Sequence, residues 1–195
     1  MAQVSLIVAA AVALGAPGLA AQARTAEQRQ ASITAHEHEF DYLLGDWEFR
    51  ATNKDYGPFT GLWSALTTDN GGILDEYRIV DDSGATTYMT TTIRNWNASL
   101  DQWELIGLHP GSGLRDFGTG HMTGGEMRIE QTFGVTFGIP SILRIRYYNI
   151  RPDAFSWTAD RSTDGGKTWV VGWQTIEARR TGPSRALGRL TPARK

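Results

Sequence analysis

The sequence predicts an all-β protein, with about ten antiparallel strands closed into an up-and-down barrel behind an N-terminal signal peptide. From Trp47 onward, turn residues recur about every ten positions, and apolar and aromatic residues alternate with polar ones between them. No stretch of helical period and no internal repeat competes within this region. Closure into a barrel is expected because it leaves no unpaired edge strand.

The first residues have the pattern of a removable leader. The run from Val4 to Leu14 is almost entirely apolar, and Ala21-Gln22-Ala23 supplies the small residues that signal peptidase accepts. This run is too short to cross a bilayer of about 30 Å as a helix. It has no Lys or Arg before it, which departs from the usual leader pattern. We predict a signal peptide at residues 1–23 and a periplasmic or secreted product.

Residues 24–39 form a polar segment that either makes a short helix or stays flexible. Its His36-Glu37-His38-Glu39 cluster resembles a zinc site only superficially, because the helical metalloprotease motif needs histidines four positions apart. We expect these side chains to be solvated. The barrel is predicted at residues 40–180, and residues 181–195 are predicted to form a flexible basic tail.

Ten strands are predicted in the barrel region from the alternation of apolar and polar residues between turns. Turn-forming groups such as Asp69-Asn70-Gly71-Gly72 and Asp81-Asp82-Ser83-Gly84 separate them. The predicted strands are Asp46 to Thr52, Thr60 to Thr67, Ile73 to Val80, Thr87 to Trp96, Gln102 to Leu108, Leu114 to Met122, Glu126 to Phe133, Ile142 to Ile150, Ala154 to Arg161 and Thr168 to Ala178.

The hairpin before the last strand fits the Asp-box pattern Ser-x-Asp-x-Gly-x-Thr-Trp over residues 162–169. In this motif Asp164 caps the turn through backbone N–H groups, Gly166 takes a conformation that a Cβ would resist, and Trp169 packs beneath the turn. The box folds a turn and performs no chemistry. A single copy without a repeat does not indicate a glycan hydrolase.

Gly45-Asp46-Trp47 resembles the Gly-x-Trp signature that opens the first strand of lipocalins. The surrounding stretch from Phe40 to Trp47, with the Asp-box hairpin, is similar to the bacterial lipocalin-like proteins called DUF1579. The resemblance implies a ten-strand calycin-type barrel in which Trp47 is a structural plug, packed against Arg179 or Arg180 from the last strand. It implies no activity. The chain has no cysteine, so lipocalin disulfides are absent.

The composition favours a ligand cavity inside the barrel. Seven Trp, seven Phe and six Tyr exceed what packing of such a barrel needs, which predicts an aromatic-lined site for a small, mainly hydrophobic molecule, with or without an anionic headgroup. The alternative is that they fill a packed core and that the barrel is an interaction module. Arg146 clamps an anionic headgroup if it points inward, but outward pairing is the commoner arrangement. The candidate ligand-binding residues are Tyr77, Arg94, Trp103, Arg146, Tyr148 and Trp157.

Histidines provide the main candidates for catalysis, with Asp116 and Glu126 as candidates only by their proximity to His121 in the sequence, and the sequence leaves open whether the protein is an enzyme. His109 and His121 are candidate acid–base residues, since the chain has no Gly-x-Ser-x-Gly elbow and no cysteine nucleophile. No cofactor or metal is predicted. Haem is a minor alternative, because the last strands contain no histidine to serve as a proximal ligand and only these two could replace it.

Charge is distributed unevenly along the chain. All 21 acidic side chains precede Arg179, whereas the segment from Arg179 to Lys195 contains six basic ones. This basic segment predicts a solvated terminus or weak contact with an anionic envelope surface. Nucleic-acid binding is not predicted, because no aromatic residue is interleaved with these charges to stack on bases.

Overall fold

Ten antiparallel strands form a closed barrel in the computed structural model, which describes residues 23–188. The predicted fold class is therefore confirmed. The elements are α1 (Ala26–His36), a 3-10 turn (Asp41–Leu43), β1 (Gly45–Asn53), β2 (Gly57–Thr67), β3 (Ile73–Val80), β4 (Thr86–Asn97), β5 (Gln102–His109), β6 (Gly113–Thr123), β7 (Glu126–Phe133), β8 (Ser141–Tyr148), β9 (Ala154–Ser162), β10 (Val170–Gly182) and β11 (Arg185–Ala186).

The first strand closes the barrel, because both of its edges are paired. On one edge β1 pairs with β2, and on the other it pairs with β10 from Asp46 and Gly182 to Asn53 and Gln174. Every other strand pairs with its neighbours in sequence. The short β11 pairs in parallel with the end of β2, at Leu66 and Thr67, beyond the point where β1 begins. Such closure satisfies the backbone hydrogen bonds of all ten barrel strands.

Side chains alternate between the barrel interior and its outer surface. In β8, Leu143, Ile145 and Tyr147 are buried, whereas Arg144 and Arg146 are exposed. This period of two follows from the pleat of a β-strand, in which successive side chains point to opposite faces. Most interior side chains are therefore apolar, and the outer surface carries most of the charge.

One end of the barrel is capped by the residues that precede β1. Phe40 and Leu43 are fully buried there, and the Phe40 ring meets the Trp103 ring edge-on at 4.9 Å between centroids. The indole of Trp47 donates a hydrogen bond to the Leu43 carbonyl at 2.8 Å. These contacts make a solid floor, so any opening lies at the opposite end.

The polar segment before the barrel forms a helix, which is one of the two alternatives expected from its sequence. α1 begins with a capping box between Thr25 and Gln28. It is attached to the barrel by Ser32, whose hydroxyl donates to Asp101 and accepts from the indole of Trp96, and by His36, whose ring stacks on Trp96 at 4.0 Å.

In the His36–Glu39 cluster, His38 is exposed as expected, but His36 and Glu39 are only partly exposed. The His36 imidazole contacts the Glu39 carboxylate at 2.8 Å, and the other oxygen of that carboxylate accepts a hydrogen bond from the Trp103 indole at 2.9 Å. Both side chains are therefore used to hold α1 against the capped end. No group of His, Asp or Glu in residues 23–188 is arranged to hold a metal ion.

Arg180 supplies the cation that lies over Trp47, with its guanidinium carbon 4.1 Å from the ring centroid. Of the two candidates, Arg179 is exposed instead, because it follows the buried Ala178 in an alternating strand. The Arg180 guanidinium also donates to the carbonyls of Tyr42 and Leu44. Gly45 makes this possible, since it has a φ of 115° and a Cβ there would collide with the guanidinium.

The Asp-box turn between β9 and β10 has the expected contacts. Asp164 accepts hydrogen bonds from the backbone N–H groups of Thr168 and Lys167, at 2.9 and 3.0 Å, and from the Thr168 hydroxyl. The Thr168 bonds contribute most to lowering the pKa of Asp164 to about 2. Gly166 has a φ of 88°, and the Trp169 indole donates to its carbonyl.

Two predicted segments lie partly outside the described residues: residues 1–22 of the leader and residues 189–195 of the basic tail. Within residues 23–188, no helix has the length and apolar character needed to span a lipid bilayer.

Candidate functional site

The barrel encloses a cavity of about 400 Å³ on the side away from the capped end. This volume is within the range of small-molecule sites, about 300 to 1,000 Å³. Aromatic and aliphatic side chains from most of the strands form its wall, among them Trp63, Tyr77, Leu105, Leu143, Ile145 and Trp157. The barrel is therefore not filled by its own side chains and is capable of binding a ligand.

A buried ion pair lies at the inner end of this cavity. Arg94 is 3% exposed and Asp75 is 1% exposed, and the guanidinium donates to both carboxylate oxygens, from Nε at 2.5 Å and from Nη2 at 3.2 Å. Asp75 also accepts a hydrogen bond from the indole of Trp63 at 2.8 Å. Burial alone would lower the pKa of Arg94, but the Asp75 carboxylate outweighs it and raises that pKa, so Arg94 stays charged.

Two hydrogen-bond donors in the cavity wall have no well-aligned partner. Arg94 Nη1 and the Tyr77 hydroxyl are both buried without such a bond, although the Tyr147 hydroxyl lies close to Arg94 and Gln174 lies close to Tyr77. The Arg94 guanidinium lies 5.0 Å from the Phe40 ring centroid and 5.8 Å from that of Tyr147, contacts that do not satisfy an N–H group. An unpaired buried donor costs about 1 to 3 kcal/mol, so a ligand with a hydrogen-bond acceptor would be favoured there.

The outer part of the cavity contains a second buried carboxylate, Asp116, which is 7% exposed. Burial raises the pKa of Asp116 to about 6, although Arg115, the Gln131 side chain and the Gly134 backbone favour the ionised form. Its Oδ1 has no hydrogen-bond partner.

Replacing Asp116 with asparagine should stabilise the protein at neutral pH. Because the pKa of Asp116 is higher in the folded state than its ordinary 3.8, the contribution of this group to stability is fully present below about pH 4 and is lost as the pH rises through about 6. This difference corresponds to a cost of up to about 3 kcal/mol at pH 7. Urea unfolding across this pH range should show the decline in wild type and a flatter profile in Asp116→Asn. Equal slopes of the unfolding free energy against pH for wild type and Asp116→Asn would contradict the raised pKa of Asp116.

The predicted ligand-binding residues occupy different parts of the barrel. Tyr77, Arg94 and Trp157 line the cavity. Trp103 is fully buried in the capped end, where it packs on Phe40. It is therefore a structural residue of the floor.

Arg146 and Tyr148 lie on the outer side of β8, so they do not form part of the cavity. The Arg146 guanidinium is 3.5 Å from the Glu126 carboxylate and 5.1 Å from the Tyr148 ring centroid. Arg146 and Tyr148 point outward because side chains alternate along β8, and Ile145 and Tyr147 occupy the inward positions. Arg146 thus has the outward, paired arrangement.

Neither candidate histidine lines the cavity. His109 is half-buried at the outer end of the barrel, with its ring 5.1 Å from that of Tyr88 and one ring nitrogen 3.0 Å from the Ser112 hydroxyl. His121 is exposed. The geometry brings neither histidine together with Arg94 and Asp75.

Sequence reasoning did not place Asp75 or Asp116 in the cavity. A usable signal exists for Asp75, because it alternates with Ile73 and Tyr77 in a strand whose inward positions are otherwise apolar. A charged residue at an inward position of a strand indicates a buried partner of opposite charge. For Asp116 no such signal exists, because its inward neighbours in β6 are the glycines Gly118 and Gly120, whereas the apolar Phe117 points outward.

Comparison with known proteins agrees with the fold. No family model matches the chain, and no curated protein matches it. Among solved structures, it is similar to Rv2717c from M. tuberculosis, with a TM-score of 0.56 and 18% sequence identity over 77% of this chain and 97% of that one. At this identity the likeness concerns the fold alone, and the resemblance to DUF1579 stays a prediction. The chain is thus a ten-strand antiparallel barrel with a cavity inside it.

Proposed function

We propose that the protein binds a small, mainly apolar molecule inside the barrel, with an anionic headgroup directed toward Arg94. The observation that carries this proposal is the buried Arg94 Nη1, which lines the cavity and has no hydrogen-bond partner. A carboxylate oxygen would receive a charge-assisted hydrogen bond there. The Tyr77 hydroxyl, which is also buried without a well-aligned hydrogen bond, lies in the same wall.

The cavity favours this proposal over the two alternatives from the sequence. An interaction module built on a packed barrel would not need an interior space of about 400 Å³. Acid–base chemistry by His109 or His121 would require one of them to reach a bound molecule, and neither lines the cavity. Periplasmic or secreted location remains a prediction from the leader pattern and is compatible with a carrier of apolar molecules.

Filling the cavity should abolish binding. Thr92 lines the cavity, whereas the preceding residue, Thr91, alternates to the outer face of β4. We expect Thr92→Trp to weaken binding of anilinonaphthalene sulfonate, an apolar anion that fluoresces in apolar sites, by about tenfold or more because the indole takes its space. Decanoate should displace this probe from the wild-type protein.

Thr91→Trp is the matched control, since it adds the same side chain to the same strand on the other face. Its affinity for anilinonaphthalene sulfonate should equal that of wild type. Equal losses in both variants, with thermal stability unchanged, would place the probe outside the cavity. Failure of the wild type to bind either the probe or decanoate would contradict the proposed function.

A further inference from the structure

We propose that Asp116 forms a second polar subsite in the outer part of the cavity, which accepts a hydrogen bond from a hydroxyl or ammonium group at the far end of the bound molecule. This inference rests on the proposed function, which directs the anionic headgroup toward Arg94. It identifies the ligand class as an apolar chain or ring system with an acceptor at one end and a donor at the other.

The barrel interior has a space that accommodates the Asp116 carboxylate. Asp116 is 7% exposed and lines the cavity, and its Oδ1 is buried without a partner. The residue opposite it in β5 is Gly107, where a Cβ would lie 2.5 Å from Asp116 Oδ2. Any other residue at position 107 would therefore displace the carboxylate. The absence of a side chain on Gly107 leaves room for Asp116 inside the barrel.

The neighbouring arginine does not form an ion pair with Asp116. The Arg115 guanidinium lies over the Phe133 and Phe137 rings, at 4.3 and 4.6 Å from their centroids, and its Nε has no hydrogen-bond partner. None of the ion pairs within residues 23–188 includes Asp116. The Gln131 side chain and the Gly134 backbone approach this carboxylate, but its Oδ1 has no hydrogen-bond partner and is left for a donor on the bound molecule.

The register places Asp116 nearer the open end than Arg94. Arg94 is opposite Leu105, and Asp116 is opposite Gly107, the next inward position of β5. With about 3.4 Å per residue along a strand and about 4.8 Å between strands, the two Cα atoms are about 12 Å apart. Because both side chains extend from these Cα atoms into the cavity, the spacer between a headgroup at Arg94 and a second polar group at Asp116 is found by testing several chain lengths.

Isothermal titration calorimetry with matched probes tests this subsite. We would compare straight-chain carboxylates from hexanoate to dodecanoate with the same acids carrying a terminal hydroxyl or a terminal amine. At the chain length that fits, one terminally substituted acid should bind wild type about tenfold or more tightly than its parent, as expected for one hydrogen bond to a charged group. In Asp116→Leu this preference should disappear, and the parent acid should bind at least as well.

Asp116→Asn distinguishes a terminal hydroxyl from a terminal ammonium group as the donor, because the amide keeps an acceptor oxygen but loses the negative charge. A preference for the hydroxyl should survive partly in this variant, whereas a preference for the amine should be lost. Asp82→Leu is the control, since Asp82 is exposed in the turn between β3 and β4 at the same end of the barrel. It should leave both preferences unchanged.

The possible failures are distinguishable. If the parent acids bind but neither substituted series binds more tightly, or if the preference persists in Asp116→Leu, the subsite is overturned while the proposed function stands. If no parent acid binds at any length, the proposed function fails and this inference fails with it.

Discussion

Replacing Asp75 with leucine is expected to lower the free energy of unfolding by about 3 to 5 kcal/mol, the cost of breaking a buried ion pair. The variant leaves Arg94 charged at 3% exposure, without the carboxylate that accepts its Nε and Nη2 hydrogen bonds. The indole N–H of Trp63 loses its acceptor at the same time. No other carboxylate forms an ion pair with Arg94 within residues 23–188, so its charge would remain uncompensated.

Chemical denaturation of Asp75→Leu and of the double variant Asp75→Leu/Arg94→Met measures this effect. The double variant should recover most of the loss, because two apolar side chains of similar volume replace the pair. Asp82→Leu, which changes an exposed carboxylate, should alter the free energy of unfolding by less than about 0.5 kcal/mol. If Asp75→Leu lowers the free energy of unfolding no more than Asp82→Leu does, the Arg94 guanidinium must form hydrogen bonds to water or to another acceptor. Its burial would then be less complete than the structure shows.

Trp47→Ala is expected to cost about 3 to 5 kcal/mol, the usual range for deleting a large aromatic side chain from a core. Trp47 is 1% exposed and packs edge-on against Phe155 at 4.8 Å between centroids. The substitution also removes the hydrogen bond to the Leu43 carbonyl and the ring beneath the Arg180 guanidinium. Three contacts at the capped end are lost together, so the floor of the barrel should loosen.

Trp169→Ala provides the comparison, because Trp169 is a half-buried tryptophan in the turn between β9 and β10. It also has an arginine over its ring, Arg144 at 3.9 Å. At such a site we expect a loss of about 1 kcal/mol from the cation–π contact. Denaturant midpoints and m-values of both variants would separate loss of core packing from a change in the unfolded state. A Trp47→Ala loss as small as that of Trp169→Ala would mean that the cap does not depend on Trp47.

The strands were predictable because turn chemistry and alternation are local signals. β3 and β7 have the predicted bounds, Ile73–Val80 and Glu126–Phe133. β10 extends further than predicted, to Gly182, because its last residues pair with β1 and Arg180 lies opposite Trp47. That partner is distant in the sequence, so no local pattern reports it. β8 stops at Tyr148, before Asn149 with its φ of 51°, although apolar residues suggested continuation to Ile150.

The interior was less predictable than the strands. Arg94 and Arg146 both alternate with neighbours that suit a strand, yet the first points into the cavity and the second outward. The inward face of each strand is decided by closure and register, which depend on pairing across the whole barrel. Trp103 shows a further limit, because its inward position lies at the capped end rather than in the cavity. Whether an inward residue lies in the floor or in the cavity depends on where the capping residues around Phe40 end, and these residues are not part of the strand that contains Trp103.

The seam between β1 and β10 has a consequence for how the chain reaches this structure. Leu44 and Arg180, which meet there, are 136 residues apart. Bringing two such distant residues together costs a large loop-closure entropy before the contact can stabilise the fold. We therefore expect this contact to form late and to slow folding. On a ribosome, the β10-facing edge of β1 must wait unpaired until nearly all of the barrel has been synthesised. Since an unpaired strand edge can recruit another chain, the newly made protein should be most prone to aggregate in that interval.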